Sequence, residues 1–273
     1  MLNKFSNLQQ RLITGLSGAA LLLGGIWYSH WSYLFFFGLI VLLTLTEFYK
    51  LLQLAGIGSN KILGITLGLL LFLVVFMTES AYWPGKVLWA FLPVLFLIFI
   101  VELYCNKDNP FTRIAFTILG LVYVAVPICL LTVIAFVNGL YEPSIVFGIL
   151  ILIWGNDIGG YFAGRFLGKH KLFERISPKK TWEGSFGGAL LSLSAAVGLA
   201  MLFPVLTLIQ WLVLSSIIIV FGSIGDLVES MLKRSLDIKD SGSMIPGHGG
   251  FLDRFDALIF ALPFIVFYLM LFS

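Results

Sequence analysis

Two acidic residues stand inside apolar stretches of the chain, where a charge is costly. Asp157 and Asp226 each lie at or within a run of hydrophobic residues. A carboxylate at that depth costs several kcal/mol unless it is paired, hydrated or bound to a metal, so both are candidates for function. A structural ion pair or a position in headgroup water is the alternative for each. Asn156 and Asp157 also belong to a Gly-rich stretch, residues 155–160, that could open its helix locally.

The segment that begins at Asp226 carries polar side chains at helical spacing. Asp226, Ser230 and Lys233 fall at positions i, i+4 and i+7, so they share one face of a helix, and Glu229 lies beside them. This face can offer a carboxylate, a hydroxyl and a cation to one ligand.

A second acidic group opens the final apolar run of the chain. Asp253 and Asp256 stand at its start, and Asp226 stands near the end of the preceding run. We expect these two acidic helix ends to meet across the intervening loop. Paired carboxylates at a phosphate site are a common way for proteins to hold Mg²⁺, which keeps its other positions for water and substrate oxygens.

The intervening loop is rich in glycine. Residues 246–250 read Pro-Gly-His-Gly-Gly and cannot form an ordinary helix. Gly249 and Gly250 allow backbone amides to approach an anion closely. His248 is a candidate general base, and a phosphate contact or a loop cap is an equally good interpretation. A histidine metal site is not expected, because only His170 lies anywhere near it in sequence.

Basic residues are mixed with these acids in the two loops that flank the last spans. Such clusters suit a metal–polyphosphate complex, because the cations bind phosphate oxygens that the metal does not. For Arg165, Lys169 and Lys171 the better explanation is the excess of basic residues typical of cytoplasmic loops, or attraction to anionic headgroups. The candidates for substrate binding are Ser177, Lys179, Lys180 and Glu183 in the earlier loop, and Ser230, Lys233, Arg234, Lys239, Asp240 and Arg254 in the later one.

The composition indicates the class of protein in which these polar groups lie. Of the 273 residues, 59% are hydrophobic and only 11% are charged. Soluble domains carry about 25% charged residues, so a water-soluble core is excluded. Cys105 and Cys129 match no metal-ligand spacing, and we expect no disulfide between them.

Nine apolar runs approach the length of about 20 residues that a helix needs to cross a membrane. The first could be a signal peptide, but it lacks a clean cleavage site, so we expect it to be retained. We also expect no soluble tail after the last run. The sequence thus predicts an all-α polytopic integral membrane protein with about nine transmembrane helices. The runs are residues 11–29, 31–52, 61–78, 85–104, 112–137, 143–164, 183–203, 206–229 and 254–272.

Two further patterns bear on these helices. Pro127 lies inside the fifth run and is expected to disturb it, since proline removes one backbone donor. Glycines spaced by four favour close contacts between helices. They are Gly160, Gly164 and Gly168 in one run, and Gly184 and Gly188 in the next.

The lysines and arginines predict the orientation. With the N-terminus in the cytoplasm, all of the 17 basic residues except Lys86 fall on the cytoplasmic side. This agrees with the excess of Lys and Arg in cytoplasmic loops. Residues 1–150 then form a scaffold, dimer-forming or lipid-facing bundle. Residues 151–273, with nine of the 14 acids, carry the catalytic site.

One stretch resembles the signature of a known family. Ser230-Met-Leu-Lys-Arg, then Lys239-Asp240, Gly242 and Ile245-Pro-Gly-His-Gly-Gly-Phe-Leu-Asp-Arg-Phe-Asp256 are similar to the signature of the CDP-diacylglycerol synthase family, also called phosphatidate cytidylyltransferases. Residues 177–184, Ser-Pro-Lys-Lys-Thr-Trp-Glu-Gly, resemble that family's cytoplasmic loop. The resemblance is strong from about residue 150 onwards, and before it only the hydropathy agrees.

The resemblance implies a reaction in phospholipid biosynthesis. CTP and phosphatidic acid would give CDP-diacylglycerol and pyrophosphate, with Mg²⁺ and with K⁺ as a candidate second cation. The protein is expected in the cytoplasmic membrane, in contact with membrane lipids, with its site facing the cytoplasm and no nucleic-acid partner. The sequence does not decide the oligomeric state, and a homodimer is one candidate. Another lipid phosphoryl-transfer enzyme and an ion-coupled transporter are the alternative functions.

Within this reaction the candidate residues receive roles. A phosphatidate oxygen would attack the α-phosphorus of CTP in line, and pyrophosphate would leave. We assign Asp226 and Asp253 as Mg²⁺ ligands, with Asp256 as a ligand or a supporting carboxylate. The phosphates would be held by Lys233, Arg234, Lys239 and Arg254. Asn156, Asp157 and the residues from Ser177 to Glu183 would complete the site.

Overall fold

The computed structural model of the protein describes residues 7–174, 176–238 and 249–272. Most of this part of the chain is helical, as the sequence predicts. The one sheet in the described residues is an antiparallel hairpin of two short strands, β1 and β2. The elements are α1 (Asn7–Tyr28), α2 (His30–Leu54), α3 (Lys61–Glu79), α4 (Phe91–Tyr104), α5 (Pro110–Gly120), α6 (Val126–Ala135), α7 (Pro143–Leu167), β1 (Lys171–Phe173), β2 (Ser177–Thr181), α8 (Trp182–Leu202), α9 (Leu208–Ile217), α10 (Ser223–Ser235) and α11 (Leu252–Phe272).

Eight helical stretches in the described residues are long and apolar enough to cross a membrane, and the shorter stretch Gly15–Tyr28 of α1 is also apolar. This confirms a multi-pass, all-α membrane protein. The stretch Leu208–Ser235 differs most from its prediction, because it continues past residue 229 to Ser235. Asp226 therefore does not close a helix, as predicted, but lies in the first turn of α10.

Two of the helical stretches that are long enough to cross a membrane, Pro110–Ala135 and Leu208–Ser235, contain a wider turn. A π-helical turn, Leu121–Ala125, joins α5 to α6, and Pro127 follows at the start of α6. Proline cannot donate the backbone hydrogen bond that a regular helix requires at this point, so the ladder must rearrange locally. A second π-helical turn, Ile218–Gly222, joins α9 to α10.

The contacts divide the chain into two compact units. The first contains residues 1–141 and 236–254, and the second contains residues 142–235 and 255–273. The assignment of a scaffold role to residues 1–150 and of the catalytic site to residues 151–273 stays a prediction.

The first unit is organised around α2. Tyr49 is fully buried and donates a hydrogen bond from its hydroxyl to the carbonyl of Thr117, at 2.7 Å. Its ring occupies space that glycines leave open on α3 and α5, at Gly64 and Gly120. Large side chains such as Tyr33, Phe37, Phe48 and Phe76 complete the core.

The second unit is built on the α7–α8 pair, which meets backbone to backbone. A methyl group added at Gly159 would lie 2.5 Å from the carbonyl oxygen of Gly187, and one added at Gly184 would lie 3.0 Å from that of Gly160. The predicted close contacts between glycines four apart are therefore confirmed. The prediction that residues 155–160 open their helix is wrong, because α7 is continuous through them. These glycines serve packing instead.

The β hairpin joins these two helices. Thr181 ends β2 and caps α8, since its hydroxyl accepts a hydrogen bond from the backbone N–H of Gly184 at 3.2 Å. The alternating directions of side chains along a strand place Lys179 and Lys180 on opposite sides of β2. The loop that the sequence predicts to be functional is thus partly ordered as a strand.

Candidate active site

Three carboxylates of the second unit come together. Asp226 and Glu229 lie on α10 and Asp256 lies on α11, and each offers one oxygen within 4.8 Å of the other two. Glu229 is 1% exposed and Asp256 is 8% exposed, so most of this negative charge is removed from water. We call these three residues the carboxylate trio.

A glycine brings the two helices of the trio together. Gly225 is buried on α10, and a methyl group added there would lie 2.6 Å from the Cβ of Phe260 and 2.7 Å from the carbonyl oxygen of Asp256. Only a residue without a side chain allows the two backbones to approach this closely. Asp226 directly follows Gly225 in sequence, so this close contact also determines where the Asp226 carboxylate lies relative to α11.

Lys180 reaches the trio from the hairpin. Its ammonium nitrogen lies 2.7 Å from Oδ2 of Asp226, and it also donates a hydrogen bond to the carbonyl of Ser223 at 3.3 Å. Both side chains of this ion pair remain partly accessible, Lys180 at 24% and Asp226 at 43%. The pair therefore marks the open side of an otherwise buried cluster.

A second lysine neutralises the buried side. Lys233 lies one turn after Glu229 on α10, and its ammonium nitrogen is 2.6 Å from Oε2 of that carboxylate. Ser230 donates a hydrogen bond from its hydroxyl to Oδ1 of Asp226 at 3.5 Å. The shared helix face predicted for Asp226, Ser230 and Lys233 is confirmed, and Lys233 contacts a carboxylate there.

Asp157 of α7 also belongs to this region. Its carboxylate, like that of Asp226 and the ammonium group of Lys180, interacts electrostatically with Asp256. The preceding residue, Asn156, packs against Gly188 of α8 through its side-chain oxygen. A fourth acid therefore acts electrostatically on the trio, and its functional role stays a prediction.

The other predicted site residues of the hairpin and of the start of α8 make contacts outside the trio. Glu183 accepts hydrogen bonds from the backbone N–H of Lys169 at 3.1 Å, and its Oε1 lies 2.6 Å from Nδ1 of His170. Ser177 begins β2 opposite Phe173. Lys179 is exposed. Glu183 also lines an open basin of about 670 Å³ together with Lys169, His170, Lys171, Glu174, Trp182 and Phe186.

The remaining candidates lie in the first unit, at the exposed end of α10 or outside the described residues. Oδ2 of Asp253 accepts a hydrogen bond from the backbone N–H of Gly250 at 3.3 Å. The backbone φ of Gly249 is +87°, a conformation that glycine adopts without strain. The side chains of Arg234 and Arg254 are exposed. Lys239, Asp240 and His248 lie outside the described residues, so their predicted roles stay predictions.

The donor set of the trio fits a hard divalent cation. Three carboxylate oxygens within 4.8 Å of one another can converge on one ion. Mg²⁺ prefers oxygen ligands and is usually held by a few carboxylates, with water and phosphate oxygens in its other positions. The partly accessible Asp226 side leaves room for such ligands.

Glu229 is the member of the trio that sequence reasoning did not propose as a ligand. It lies three residues after Asp226, so both carboxylates project from nearly the same face of α10. That spacing is the signal that could have identified it. By contrast, no spacing shows that Asp256 comes within reach of Asp226, because they lie on different helices.

Comparisons with known proteins agree over nearly the whole chain. The model of the Cytidylyltransferase family matches residues 9–272. The chain is 35% identical over 231 residues to a protein of Staphylococcus epidermidis named phosphatidate cytidylyltransferase, covering 81% of this chain and 85% of that protein. It is 35% identical over 252 residues to one of the same name from Staphylococcus saprophyticus, covering 89% and 90%. A protein of that name from Bacillus subtilis is 46% identical over 134 residues, 49% of this chain and 50% of that protein.

Proposed function

The chain belongs to the cytidylyltransferase family, and we propose that it is a phosphatidate cytidylyltransferase. It transfers the cytidylyl group of CTP to phosphatidic acid and releases pyrophosphate. The observation that carries this proposal is the carboxylate trio with Lys180 only 2.7 Å from Asp226. Acids and a lysine so arranged can hold a metal–triphosphate complex in a multi-pass membrane protein.

The site is proposed to face the cytoplasm. The charge distribution supports this side, since Lys86 would be the one basic residue outside. CTP is made in the cytoplasm, and the phosphate of phosphatidic acid lies at the headgroup level of the inner leaflet. Both substrates could then reach the same polar cluster without crossing the membrane.

Mg²⁺ is the proposed cofactor. Asp226, Glu229 and Asp256 would hold it, and Asp253 remains a proposed fourth carboxylate from the sequence. When bound, the ion would neutralise phosphate charge that otherwise opposes the approach of the two substrates. K⁺ remains the proposed second cation, with no residues assigned to it.

The main task of the protein groups is to bring two anions together. The phosphatidate oxygen is already ionised at neutral pH, so in-line attack on the α-phosphorus needs no dedicated general base. Lys180 and Lys233 balance the charge of Asp226 and Glu229. Lys180 stands on the accessible side, where it can also contact a phosphate oxygen. Arg234, Lys239 and Arg254 are proposed to bind the remaining phosphate oxygens, and Ser177 and Lys179 to line the nucleotide side.

The direct test is incorporation of radiolabelled CTP into lipid by the purified protein. We expect a labelled lipid product and stoichiometric pyrophosphate only when phosphatidic acid and Mg²⁺ are both present. ATP in place of CTP tests the alternative of another lipid phosphoryl-transfer enzyme. Absence of a labelled lipid with a folded protein would contradict the proposal.

A further inference from the structure

A buried carboxylate of the first unit contacts the glycine-rich segment that precedes α11. Glu47 lies on α2 and is 0% exposed. Its Oε2 accepts a hydrogen bond from the backbone N–H of Phe251 at 2.6 Å, across 204 positions of sequence. Both residues belong to the same compact unit.

Burial of this carboxylate has a cost that a purely structural residue would avoid. A buried carboxylate requires hydrogen bonds or a counter-charge to offset its loss of hydration. No described residue donates a hydrogen bond to its other oxygen, Oε1. An apolar residue would fill the same place on α2 at lower cost. The bond to Phe251 is therefore the contact in the described residues that accounts for an acid at this position.

Phe251 is the residue from which α11 starts. Its carbonyl accepts a hydrogen bond from the backbone N–H of Arg254 at 3.1 Å, which forms the first turn of α11. Its own N–H is the group that Glu47 holds. One side chain thus fixes the backbone at the point where the loop becomes a helix.

Asp253 lies in this first turn and is held in the same arrangement. Its Oδ2 accepts from the backbone N–H of Gly250 at 3.3 Å. Gly250 and Phe251 are consecutive, so the orientation of the Asp253 carboxylate depends on the backbone segment that Glu47 holds. Glycines on the N-terminal side of Phe251 give this segment little stiffness of its own.

We propose that Glu47 is a positioning residue for cytidylyl transfer, which holds the backbone of Gly250 and Phe251 and thereby fixes the orientation of the Asp253 carboxylate. This inference rests on the proposed function for its catalytic consequence. It assigns a role in the reaction to a helix of the N-terminal half, which the sequence indicated to be scaffold. Glu47 acts through Asp253 and does not itself contact the substrates.

The test compares four variants of the full-length protein in the CTP incorporation assay. Glu47→Leu keeps the volume but removes the acceptor, and Glu47→Asp keeps the charge but withdraws it from Phe251. We expect both to lower kcat about 10- to 100-fold with little change in the KM for CTP, because misplaced groups slow the chemical step. Glu47→Gln retains an acceptor oxygen and should restore most of the activity. Thr44→Val is the control, since Thr44 is also buried on α2 but its hydroxyl has no hydrogen-bond partner among the described residues.

Hydrogen–deuterium exchange of the peptide containing residues 250–254 supplies a readout that does not depend on activity. We expect faster exchange in Glu47→Leu and Glu47→Asp, and near wild-type exchange in Glu47→Gln and Thr44→Val. Wild-type kcat in Glu47→Asp, or equal losses in the folded Gln and Asp variants, would overturn the inference. An inactive wild-type protein would instead contradict the proposed function, and the exchange data would still decide whether Glu47 holds the loop.

Discussion

At the scale of single residues, the site is a cluster of acids in which two of the three carboxylates of the trio each pair with a lysine. Lys180 pairs with Asp226 and Lys233 pairs with Glu229. Removing one acid from such a cluster changes both the ligand set and the balance of charge. The expected effects are therefore larger than those of an exposed ion pair, which contributes about 0–1 kcal/mol.

Neutralising a member of the trio should strongly reduce turnover while leaving the fold intact. We expect Asp226→Asn, Glu229→Gln and Asp256→Asn each to lower kcat/KM at least about 100-fold, because the carboxylates provide most of the charge that would bind the cation. Partial activity that remains should require more Mg²⁺. Asp108→Asn is the control, since Asp108 is exposed and lies in the other unit. Normal Mg²⁺-dependent turnover in the folded variants would show that the trio is not the metal site.

Lys180 should matter to the reaction more than its neighbours on the hairpin. Lys180→Ala leaves Asp226 without its 2.7 Å partner and removes a cation from the accessible side of the trio. We expect kcat/KM to fall roughly 10- to 100-fold, with a partial return in Lys180→Arg. Lys171→Ala, on β1, should retain wild-type kinetics. Equal effects of the two alanine variants would indicate that Lys180 contributes only to the general positive charge of this loop.

Sequence reasoning at this scale found the right segment but not every residue. Asp157 and Asp226 were identified because an acid in an apolar run is rare and costly, and Asp256 because it stands at the start of the final run. Glu229 was noticed but given no role, since a pattern in one helix does not show which carboxylate turns toward another helix. Glu47 was missed altogether, because its partner Phe251 lies 204 positions away.

At the scale of elements, glycine decides which helices approach closely. The α7–α8 pair and the contact of α10 with α11 both depend on residues without a side chain. Hydropathy predicted the spans well, because length and apolar composition are what a membrane requires. It could not predict the hairpin Lys171–Thr181, since two short polar strands carry no apolar alternation, nor the π-helical turns.

Enlarging Gly225 should separate the two helices that carry the trio. Its added methyl group would lie 2.6 Å from the Cβ of Phe260, so Gly225→Ala should cost about 1–3 kcal/mol of stability and reduce activity further by displacing Asp226. Unfolding in detergent and the CTP assay measure the two effects. Gly198→Ala is the matched control, because nothing lies within 4 Å of a methyl group there. A fully stable and active Gly225→Ala variant would mean that α10 and α11 do not meet at this point.

At the scale of the whole molecule, we expect the protein to lie in the membrane with Lys86 outside and the hairpin in the cytoplasm. Cys105 and Cys129 are the only cysteines and can be replaced by alanine to give a background for labelling. An impermeant maleimide should then label Lys86→Cys from outside intact spheroplasts, and Lys171→Cys only in inverted vesicles. The opposite labelling pattern would contradict a site that faces the cytoplasm.

The division of the trio between α10 and α11 also affects how the enzyme is made. The ribosome completes α10 first, so Asp226 and Glu229 enter the membrane region before Asp256 has been translated. During that interval Lys180 and Lys233 can already balance the two acids, which limits the cost of inserting them. The third carboxylate arrives only with α11. A partly synthesised chain therefore lacks the complete donor set, and the ability to gather the proposed cation arises only once α11 has been added.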